Sequence, residues 1–398
     1  MNNLNACNFY LFLIILIGLN GVIYEGGGLV SQVTQTLLFL MSFYYVYRVN
    51  RDNQNKPIYL KSLNVLLLLF TAYGLLLIIS GQVHTIGSGM KVVSNTNYLK
   101  LIFLSLLPIY AFFFFAKTGD MTEKKLRVMS VIFLVLAIMS FFRTEESLVL
   151  AAEQIGSTRE EFTNNMGYVF VGLLPALVVF YRKPVIQYLI LAVCSYFIIQ
   201  GMKRGAILTG AVTIVWFMYK NLQGATRKRK IQIALITIAV IIAGYFFIDS
   251  LLATSEYFNQ RIAQTEAGDS SGRDEIFAYF LNFFLNETDF IGFIFGNGAD
   301  ATLTVSDNYA HNDWLEIAIN QGVLGLIIYI VYWIRFYRNW KKSKSNRLAY
   351  TALGMILLIY FTESFYSMSY NAMTRCSTML LGYFLALVQK SEYKIHKT

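Results

Sequence analysis

The chain has 398 residues, of which 56% are hydrophobic and only 14% are charged. Because soluble domains carry about 25% charged residues, this composition excludes an ordinary soluble protein and predicts a polytopic membrane protein. The formal net charge of +10 does not indicate nucleic-acid binding, because the basic residues lie between apolar runs and not in aromatic-rich clusters on a soluble domain.

Apolar runs of about bilayer length recur along the chain and predict an all-α polytopic membrane protein with twelve transmembrane helices. The first run has neither a basic segment before it nor a small-residue cleavage site, so we predict a retained helix rather than a signal peptide. Pro108 and Pro175 fall inside two runs, where neighbouring helices can satisfy the carbonyl groups that a kink frees. In chain order the predicted spans are 8–24, 30–47, 62–80, 98–116, 128–142, 166–181, 185–201, 205–219, 231–251, 316–334, 349–364 and 371–389.

The distribution of charge sets the predicted orientation. If the N-terminus is cytoplasmic, 24 of the 33 basic residues fall in cytoplasmic segments and nine fall outside, whereas 19 of the 23 acidic residues lie outside. This asymmetry follows the positive-inside rule and predicts that both termini face the cytoplasm. A missed or additional helix would reverse every later loop, so the agreement favours the count of twelve.

The sequence predicts a single integral membrane domain over residues 1–398, with no internal repeat. The largest polar segment, residues 253–315, precedes the tenth predicted helix. We predict that it forms a large outer loop and carries part of an active site. Two further outer loops are predicted at 81–97 and 143–165, whereas the predicted cytoplasmic loops are short and basic.

The segment QGMKRGAILTG, residues 200–210, joins two predicted spans with almost no loop. Lys203 and Arg204 lie at this turn, on the predicted outer side where basic residues are scarce. Cations at a membrane surface either need a counter-charge or reach the lipid headgroups. We expect Lys203 to reach headgroups, with substrate binding as the alternative. We expect Arg204 to bind a ligand, because the adjacent glycine lets a ligand approach its backbone.

The predicted outer loop contains an amphipathic helix that we expect to lie in the membrane interface. Ser271 with Asp274 resembles a helix-start signature. Arg273 would then occupy the first turn, where the helix dipole disfavours a cation. Either Arg273 binds an anion, or it pairs with Asp269 or Glu275. The apolar side chains at helical spacing are Ile276, Phe277, Phe280, Leu281 and Phe284.

The segment NYAHNDWLEIAINQGVLGLIIY, residues 308–329, begins with polar residues and ends in an apolar run. Asp313, with Glu316 three residues later, predicts a capping pair at the start of the tenth helix. His311 has no such structural role. A histidine can transfer a proton near neutral pH, and Asp307 and Asp313 are close enough in sequence to orient its ring. The alternative for His311 is a solvated loop side chain.

Arg204, Arg273 and His311, all on the predicted outer side, suit a site for a lipid diphosphate. Guanidinium groups bind diphosphate oxygens in charge-assisted pairs, and a histidine can deprotonate a hydroxyl. Such a site could transfer a group from a lipid diphosphate without a metal ion, so we predict neither a metal nor a cofactor.

The remaining histidines and the cysteines show no functional spacing. Cys7, Cys194 and Cys376 lie far apart in the sequence, and we expect small apolar side chains rather than a disulfide or a metal site. His84 and His396 stand alone, and we expect solvated side chains.

In this order and on this topology, the motifs resemble the O-antigen polymerase and O-antigen ligase superfamily of bacterial membrane glycosyltransferases. The resemblance implies a GT-C-like fold and inverting, metal-independent transfer of a glycan from undecaprenyl diphosphate. It also implies that Arg204 and Arg273 hold the diphosphate and that His311 acts at the acceptor hydroxyl, with Asn312 as a further substrate-binding residue. The resemblance is carried by KRGAILTG at 203–210, SGRDEIF at 271–277, GNG at 296–298 and HNDWLEIAINQGVLGLIIY at 311–329.

The resemblance leaves the acceptor open. A polymerase transfers to a sugar on another lipid-linked repeat unit of an O-antigen or capsule, a ligase transfers to the lipid A core, and related enzymes transfer to protein. We favour a polymerase, because the AHNDWLE form and the modest length resemble polymerases of surface-polysaccharide clusters. The implied location is the bacterial inner membrane, with the site facing the periplasm or the outside. The implied partners are donor and acceptor glycans and membrane lipids, and a chain-length regulator is left open.

A transporter, such as a flippase for lipid-linked glycans, is the alternative from another class. Transporters favour charges within the spans and a repeated half-structure. Here the spans hold few charges, no repeat is visible, and the polar residues gather in one outer loop. A purely structural membrane protein would leave the outer arginines and the histidine without a role, so we favour an enzyme.

Overall fold

In a computed structural model, the secondary structure is helical apart from one antiparallel hairpin, in which β1 (His84–Ile86) pairs with β2 (Lys91–Val93). This statement covers the residues that the structure describes, which are 2–23, 28–52, 56–86, 91–154, 163–223 and 272–395, with scattered positions between 225 and 263. The hairpin is a departure from the predicted all-α architecture. It lies within the loop predicted at 81–97.

The helices follow the apolar runs and also divide the polar segment before the tenth predicted helix. A 3-10 segment (Leu174–Phe180) continues the helix Gly167–Leu173, and a π-helical segment (Phe283–Glu287) continues the helix Arg273–Asn282. A 3-10 turn (Ser343–Ser345) follows the helix Asp313–Lys342. In chain order the described α-helices are α1 (Asn3–Ile23), α2 (Leu29–Arg51), α3 (Ile58–Ser80), α4 (Asn97–Leu106), α5 (Pro108–Thr118), α6 (Glu123–Gln154), α7 (Gly167–Leu173), α8 (Pro184–Gln200), α9 (Arg204–Leu222), α10 (Arg273–Asn282), α11 (Phe290–Phe295), α12 (Ala301–Ser306), α13 (Asp313–Lys342), α14 (Arg347–Glu363) and α15 (Arg375–Ile395).

Described helices cover the predicted spans except the run 231–251, which lies largely outside the described residues. The helix α6 continues to Gln154, beyond the span predicted at 128–142 and into the predicted outer loop 143–165. Gly167–Phe180 and Pro184–Gln200 are shorter apolar helices. The chain is therefore a polytopic membrane protein, while the count of twelve and the GT-C comparison stay predictions. Six described helices are long and apolar enough to cross a membrane: Asn3–Ile23, Leu29–Arg51, Ile58–Ser80, Asn97–Thr118, Glu123–Gln154 and Asp313–Ser345.

Large apolar side chains cover the outside of the helical bundle. Ile79 and Val185 each expose 80% of their surface, and Leu68 exposes 72%. Apolar surface on this scale is unfavourable in water and suits contact with lipid chains. The exposed side chains therefore support an integral membrane protein independently of the apolar runs.

Buried aromatic side chains fill the interior of the bundle. Tyr10 of α1 lies edge-on to Phe112 of α5, with ring centroids 5.6 Å apart. The hydroxyl groups of Tyr59 in α3 and Tyr332 in α13 are 2.9 Å apart and share a hydrogen bond. The three cysteines are free and buried.

The described loops between helices meet at two opposite ends of the bundle. At one end, Lys117 pairs with Asp52, and Arg347 donates a hydrogen bond of 2.7 Å to the carbonyl of Lys220. At the other, the Asn164 amide donates to the Gly201 carbonyl at 2.9 Å and the Asp313 amide donates to the Ser364 carbonyl at 2.8 Å. Loops predicted to share a side of the membrane thus lie together. We call the second end, formed by residues 163–166, 201–204, 297–313 and 364–374, the site end.

Helix α13 is interrupted near the site end at Gly322, where φ is 67° and ψ is −167°. The break frees the carbonyl groups of Ile319 and Asn320, which accept hydrogen bonds from the amides of Asn297 (2.8 Å) and Gly298 (3.1 Å). A Cβ atom on Gly322 would collide with the carbonyl of Ile294. The GNG motif therefore closes a broken membrane helix by satisfying its free carbonyl groups.

Candidate active site

A cavity of about 340 Å³ opens at the site end. Lys203, Arg273 and His311, three of the residues predicted for the site, line it. They come from the turn before α9, the start of α10 and the loop before α13, so the fold gathers them from distant parts of the chain. The other wall is formed by α7, the end of α14 and the segment that follows α14, and includes Tyr168, Glu363, Tyr366 and Thr374.

His311 is held between two anchored neighbours. Its backbone adopts the left-handed conformation, with a φ of 50°. On one side the Ala310 amide donates to the Glu316 carboxylate at 2.9 Å, and on the other Asn312 caps α13. A non-glycine residue in this conformation persists only where its surroundings fix it. The His311 side chain remains accessible at the cavity.

The surroundings of His311 favour its neutral form. Desolvation by the neighbouring protein lowers the pKa of the imidazole below the ordinary 6.5, and the positive charges of Arg273 and Lys203 lower the pKa further. A neutral imidazole accepts a proton, so His311 can act as a base near neutral pH.

The N-terminal cap of α13 is Asn312, which corrects the predicted capping pair of Asp313 and Glu316. The Asn312 side chain accepts from the Leu315 amide at 3.1 Å and donates to the Phe365 carbonyl at 2.9 Å. Asn312 has an extended backbone just before the helix, and its side-chain oxygen can therefore accept from an amide of the first turn, as an aspartate oxygen would in the same position. Both ends of this amide are engaged by the protein, which gives Asn312 a structural role, and its part in substrate binding stays a prediction.

Asp313 and Glu316 instead join α13 to its neighbours from fully buried positions. Asp313 accepts from the Tyr329 hydroxyl at 2.6 Å and from the amide and hydroxyl of Ser369. Glu316 accepts from the Thr302 hydroxyl at 2.6 Å, the Asn320 amide at 3.1 Å and the Ala310 amide. Each carboxylate oxygen has a donor, which is how charged groups are stabilised in an interior.

The carboxylates predicted to orient the His311 ring are used elsewhere. Both oxygens of Asp313 bind Tyr329 and Ser369, and Asp307 accepts from the Thr85 hydroxyl at 3.4 Å. The ring of His311 is therefore placed by its own strained backbone and not by a carboxylate partner. His84 also departs from its expected solvation: it is buried in β1, with Nδ1 3.2 Å from the Thr304 hydroxyl. His396 lies outside the described residues.

At the turn before α9, Lys203 rather than Arg204 lines the cavity. The Lys203 ammonium lies 3.5 Å from the Thr163 hydroxyl, and its charge acts on His311. Arg204 is the first residue of α9 and is half-buried. The adjacent Gly205 does not open a path for a ligand, because a Cβ atom there would meet the hydroxyl of Tyr168 and the ring of Tyr366. The structure therefore brings Lys203 to the cavity, while ligand binding by Arg204 stays a prediction.

Arg273 lies in the first turn of α10, as the sequence predicts. The N-cap is Gly272, which has a φ of 73°. Ser271, which was predicted to start the helix, lies outside the described residues. The guanidinium lines the cavity and acts electrostatically on Tyr168 and His311. A cation in the first turn is disfavoured by the helix dipole, and the binding of an anion by Arg273 stays a prediction.

The predicted amphipathic face of α10 is partly buried. Phe280 and Phe284 are buried against Leu315 and Ile319 of α13, whereas Phe277 and Leu281 remain exposed. These contacts fix the start of α10, and with it Arg273, relative to the start of α13.

A second cavity of about 450 Å³ adjoins the site, and its lining is mainly apolar but also includes Arg143 and Arg375. Its apolar walls include Ile17, Leu101 and Phe133 from α1, α4 and α6. It shares Val169, Asn371, Ala372 and Thr374 with the cavity that holds His311. A mainly apolar space beside a cationic one suits a molecule with a lipid chain and a charged head.

A larger cavity of about 660 Å³ lies at the opposite end of the bundle, lined in part by Arg48, Arg51, Lys56 and Lys117. Its described lining contains cations but no histidine. Basic residues of this kind anchor a bundle among lipid headgroups. We therefore assign the chemistry to the smaller cavity, although the larger one offers more space.

The family model described as "O-Antigen ligase" matches residues 189–330. This matched stretch, 142 of the 398 residues, is similar to the O-antigen ligase family. The matched region contains Lys203, Arg204, Arg273 and His311, in keeping with the resemblance seen in the motifs. None of the curated proteins matches the chain.

Part of the cavity comes from outside the matched region, and the sequence predictions missed it. Tyr168, Glu363 and Tyr366 lie before and after residues 189–330. One signal could have pointed to Glu363: it is an acidic residue within the predicted span 349–364, and ionisable residues in membrane helices commonly serve function. No comparable pattern marks Tyr168, because a tyrosine near a helix end is common in membrane proteins.

Proposed function

We propose that the protein is a membrane glycosyltransferase that polymerises oligosaccharide repeat units of a surface polysaccharide, an O-antigen or a capsule. The donor is a glycan linked to undecaprenyl diphosphate, and the acceptor is a sugar of another lipid-linked unit. The observation that carries this proposal is that Lys203, Arg273 and His311 line one cavity at the ends of membrane helices. We place this cavity on the outer side of the bacterial inner membrane, as the charge distribution predicts.

The two cations account for binding of the diphosphate. Arg273 offers a planar fork for two phosphate oxygens, and Lys203 offers a compact positive charge on the same cavity wall. Negative charge accumulates on the diphosphate as it leaves, so positive charges fixed in advance stabilise the transition state. The adjoining, mainly apolar cavity supports a donor with a polyprenyl chain.

His311 accounts for activation of the acceptor. The neutral imidazole accepts the proton of an acceptor hydroxyl while the hydroxyl oxygen forms a bond to the anomeric carbon. The bond between that carbon and the diphosphate oxygen breaks, and the diphosphate departs beside Lys203 and Arg273. A single displacement of this kind inverts the anomeric configuration. The charge on the leaving group is neutralised by side chains, so the proposed reaction needs no metal.

A ligase is the second candidate, favoured by the description of the matching family model as "O-Antigen ligase". A ligase would use the same donor chemistry and transfer the finished glycan to the lipid A core. The two functions differ in the acceptor, and the acceptor would enter beside His311 in either case.

Deletion of the gene, followed by gel analysis of lipopolysaccharide or capsule, tests the proposal. A polymerase predicts that single repeat units remain attached to the lipid A core or its equivalent. A ligase predicts that polymer accumulates on the carrier lipid. An unchanged polysaccharide profile would contradict both functions.

A further inference from the structure

Two buried polar atoms face the site cavity without a hydrogen-bond partner. One is Oε1 of Glu363, the last residue of α14, of which 5% of the surface is exposed. The other is the hydroxyl of Tyr168 in α7, which lies near Ser367 and Arg273 but meets neither of them in hydrogen-bond geometry. Both residues line the cavity that holds Lys203, Arg273 and His311.

An unpaired carboxylate oxygen in an interior is costly, and such exceptions call for an explanation. Two other buried carboxylates at this end, Asp313 and Glu316, join α13 to its neighbours and have a donor for every oxygen. Asp300 is also buried and has no side-chain donor among the described contacts, but it does not line the cavity. Glu363 differs from them in lining the cavity, so its missing donor is best supplied by a bound molecule.

The chemistry of the unpaired atoms defines that molecule. Oε1 of Glu363 accepts a hydrogen bond, and an ionised carboxylate repels phosphate, so a hydroxyl group fits Glu363 better than a phosphate oxygen does. The Tyr168 hydroxyl can donate or accept. A sugar hydroxyl does both, and two hydroxyl groups on one ring could satisfy both atoms.

The position of Tyr168 indicates which sugar of the glycan would bind there. Its hydroxyl is affected electrostatically by both Glu363 and Arg273. Tyr168 is therefore near both the carboxylate and one of the cations proposed to hold the diphosphate. A group bound by Glu363 and Tyr168 would be close to the group bound by Arg273.

We propose that Glu363 and Tyr168 form a subsite that binds hydroxyl groups of the sugar attached directly to the diphosphate. This inference rests on the proposed function, because it takes Arg273 to hold the diphosphate of the donor. The subsite divides the cavity into a cationic part for the diphosphate and a carboxylate and hydroxyl part for the sugar.

Binding to two probes separates the subsite from the diphosphate site. The probes are bare undecaprenyl diphosphate and the lipid-linked repeat unit extracted from cells that lack this gene. The protein is reconstituted in nanodiscs, and the Kd of each probe is measured for the wild type and for the variants. The Kd of bare undecaprenyl diphosphate divided by the Kd of the lipid-linked repeat unit reports the contribution of the sugar.

Glu363→Gln and Tyr168→Phe should each reduce that ratio by about tenfold, as expected for loss of a hydrogen bond to a buried or charged group. Both variants should bind bare undecaprenyl diphosphate as the wild type does, which also shows that they are folded. Tyr366→Phe is the matched control. Its hydroxyl lines the same cavity but already donates to the Gly205 carbonyl at 3.0 Å, so its removal should leave the ratio unchanged.

The outcomes distinguish the two levels of the proposal. A wild-type ratio in both Glu363→Gln and Tyr168→Phe would overturn the sugar subsite while leaving the diphosphate site intact. Equal affinity of the wild type for the two probes would also overturn the subsite. Failure of the wild type to bind bare undecaprenyl diphosphate would overturn the proposed donor site, and the subsite with it.

Discussion

His311 carries the proposed chemistry, and its neighbours set its protonation. Since Arg273 and Lys203 oppose the charged imidazolium, the pKa of His311 lies below the ordinary 6.5 and the neutral base persists to lower pH. The acid limb of kcat/KM, measured with extracted lipid-linked repeat units, should therefore have its midpoint below pH 6.5. Lys203→Met should raise that midpoint, because it removes one of the opposing charges.

Arg204→Gln serves as the control for this titration. It removes a neighbouring charge that does not act on His311, so the midpoint should stay where it is in the wild type. The readout is the midpoint and not the rate, because Lys203→Met also weakens binding of the diphosphate. An acid limb above pH 6.5, or one that Lys203→Met does not move, would exclude this account of the base.

Asp300 offers a test of electrostatics away from the chemistry. Burial, and then the charge of Glu316, raise the pKa of its carboxyl to about 7. The folded protein therefore holds this proton more tightly than the unfolded chain, and stability is lost as the pH rises from about 4 through 7. Asp300→Asn should raise the Tm in detergent at pH 8 and change it much less at pH 5. Asparagine also tolerates the left-handed backbone of this residue, which has a φ of 57°.

Asp307→Asn is the control for Asp300→Asn. Asp307 shares the left-handed conformation, with a φ of 53°, but its side chain is exposed. Its replacement should change the Tm little at either pH. Equal Tm values for Asp300→Asn and the wild type at pH 8 would show that ionised Asp300 does not destabilise the fold.

Residue chemistry alone brought out Arg273 and His311, which the structure places on one cavity. It favoured Arg204 over Lys203 for ligand binding, whereas Lys203 lines the cavity, because packing decides which of two adjacent side chains turns inward. Gly205 fits beneath Tyr168 and Tyr366, and no periodicity in the sequence encodes that contact. The cap of α13 was misplaced by one residue for a related reason: Asn312 and Asp313 are both good caps, and tertiary partners claim Asp313.

Among the elements, the interrupted helix α13 contributes most to the geometry of the site. Gly322 and Gly296 bring two backbones into contact, and a Cβ atom on Gly296 would meet the carbonyl of Asn320. Both glycines also have positive φ values, 67° and 83°. Gly322→Ala and Gly296→Ala should each lower the free energy of unfolding by about 2 kcal/mol or more. The measurement is the Tm in detergent, together with the yield of folded protein.

Gly21→Ala is the matched control for these substitutions. Gly21 lies in α1, and nothing lies within 4 Å of an added Cβ atom. The control should retain the wild-type Tm. Wild-type stability in Gly322→Ala would argue against the close contact between the GNG motif and the broken helix.

Element positions were predictable from the sequence because apolar runs and charge mark where helices enter a membrane. The breaks within the runs were harder to place. Pro108 marks the division between α4 and α5, and Pro175 marks the 3-10 segment after α7, as the missing amide of proline requires. The break at Gly322 could not be predicted, since a glycine within a membrane helix usually serves close packing. The loop that supplies its hydrogen bonds is needed to recognise it.

At the scale of the whole molecule, the cavity is built from segments that no local pattern links. Residues near positions 168, 203, 273, 311 and 363 meet only because the helices pack as they do. The distribution of charge placed most of their loops on one predicted side of the membrane. Topology alone does not say which side chains of those loops meet. The distances among them and the unpaired atoms of Glu363 and Tyr168 emerge only from the packed structure.

The metal-independent chemistry is also a prediction about the whole protein. Lys203 and Arg273 supply the positive charge that a divalent cation would otherwise supply to a leaving diphosphate. Transfer by purified protein should therefore proceed at the same rate with and without EDTA. Loss of activity in EDTA that added Mg²⁺ or Mn²⁺ restores would contradict the proposed mechanism.

The central claim is that Lys203, Arg273 and His311 act together in glycan transfer. It is tested most directly by polysaccharide chain length in deletion cells that carry Lys203→Ala, Arg273→Ala or His311→Ala, with membrane insertion checked by immunoblot. We predict that each variant inserts normally and abolishes long-chain glycan, while Arg204→Ala has a smaller effect. Wild-type chain lengths in all three variants would contradict the account.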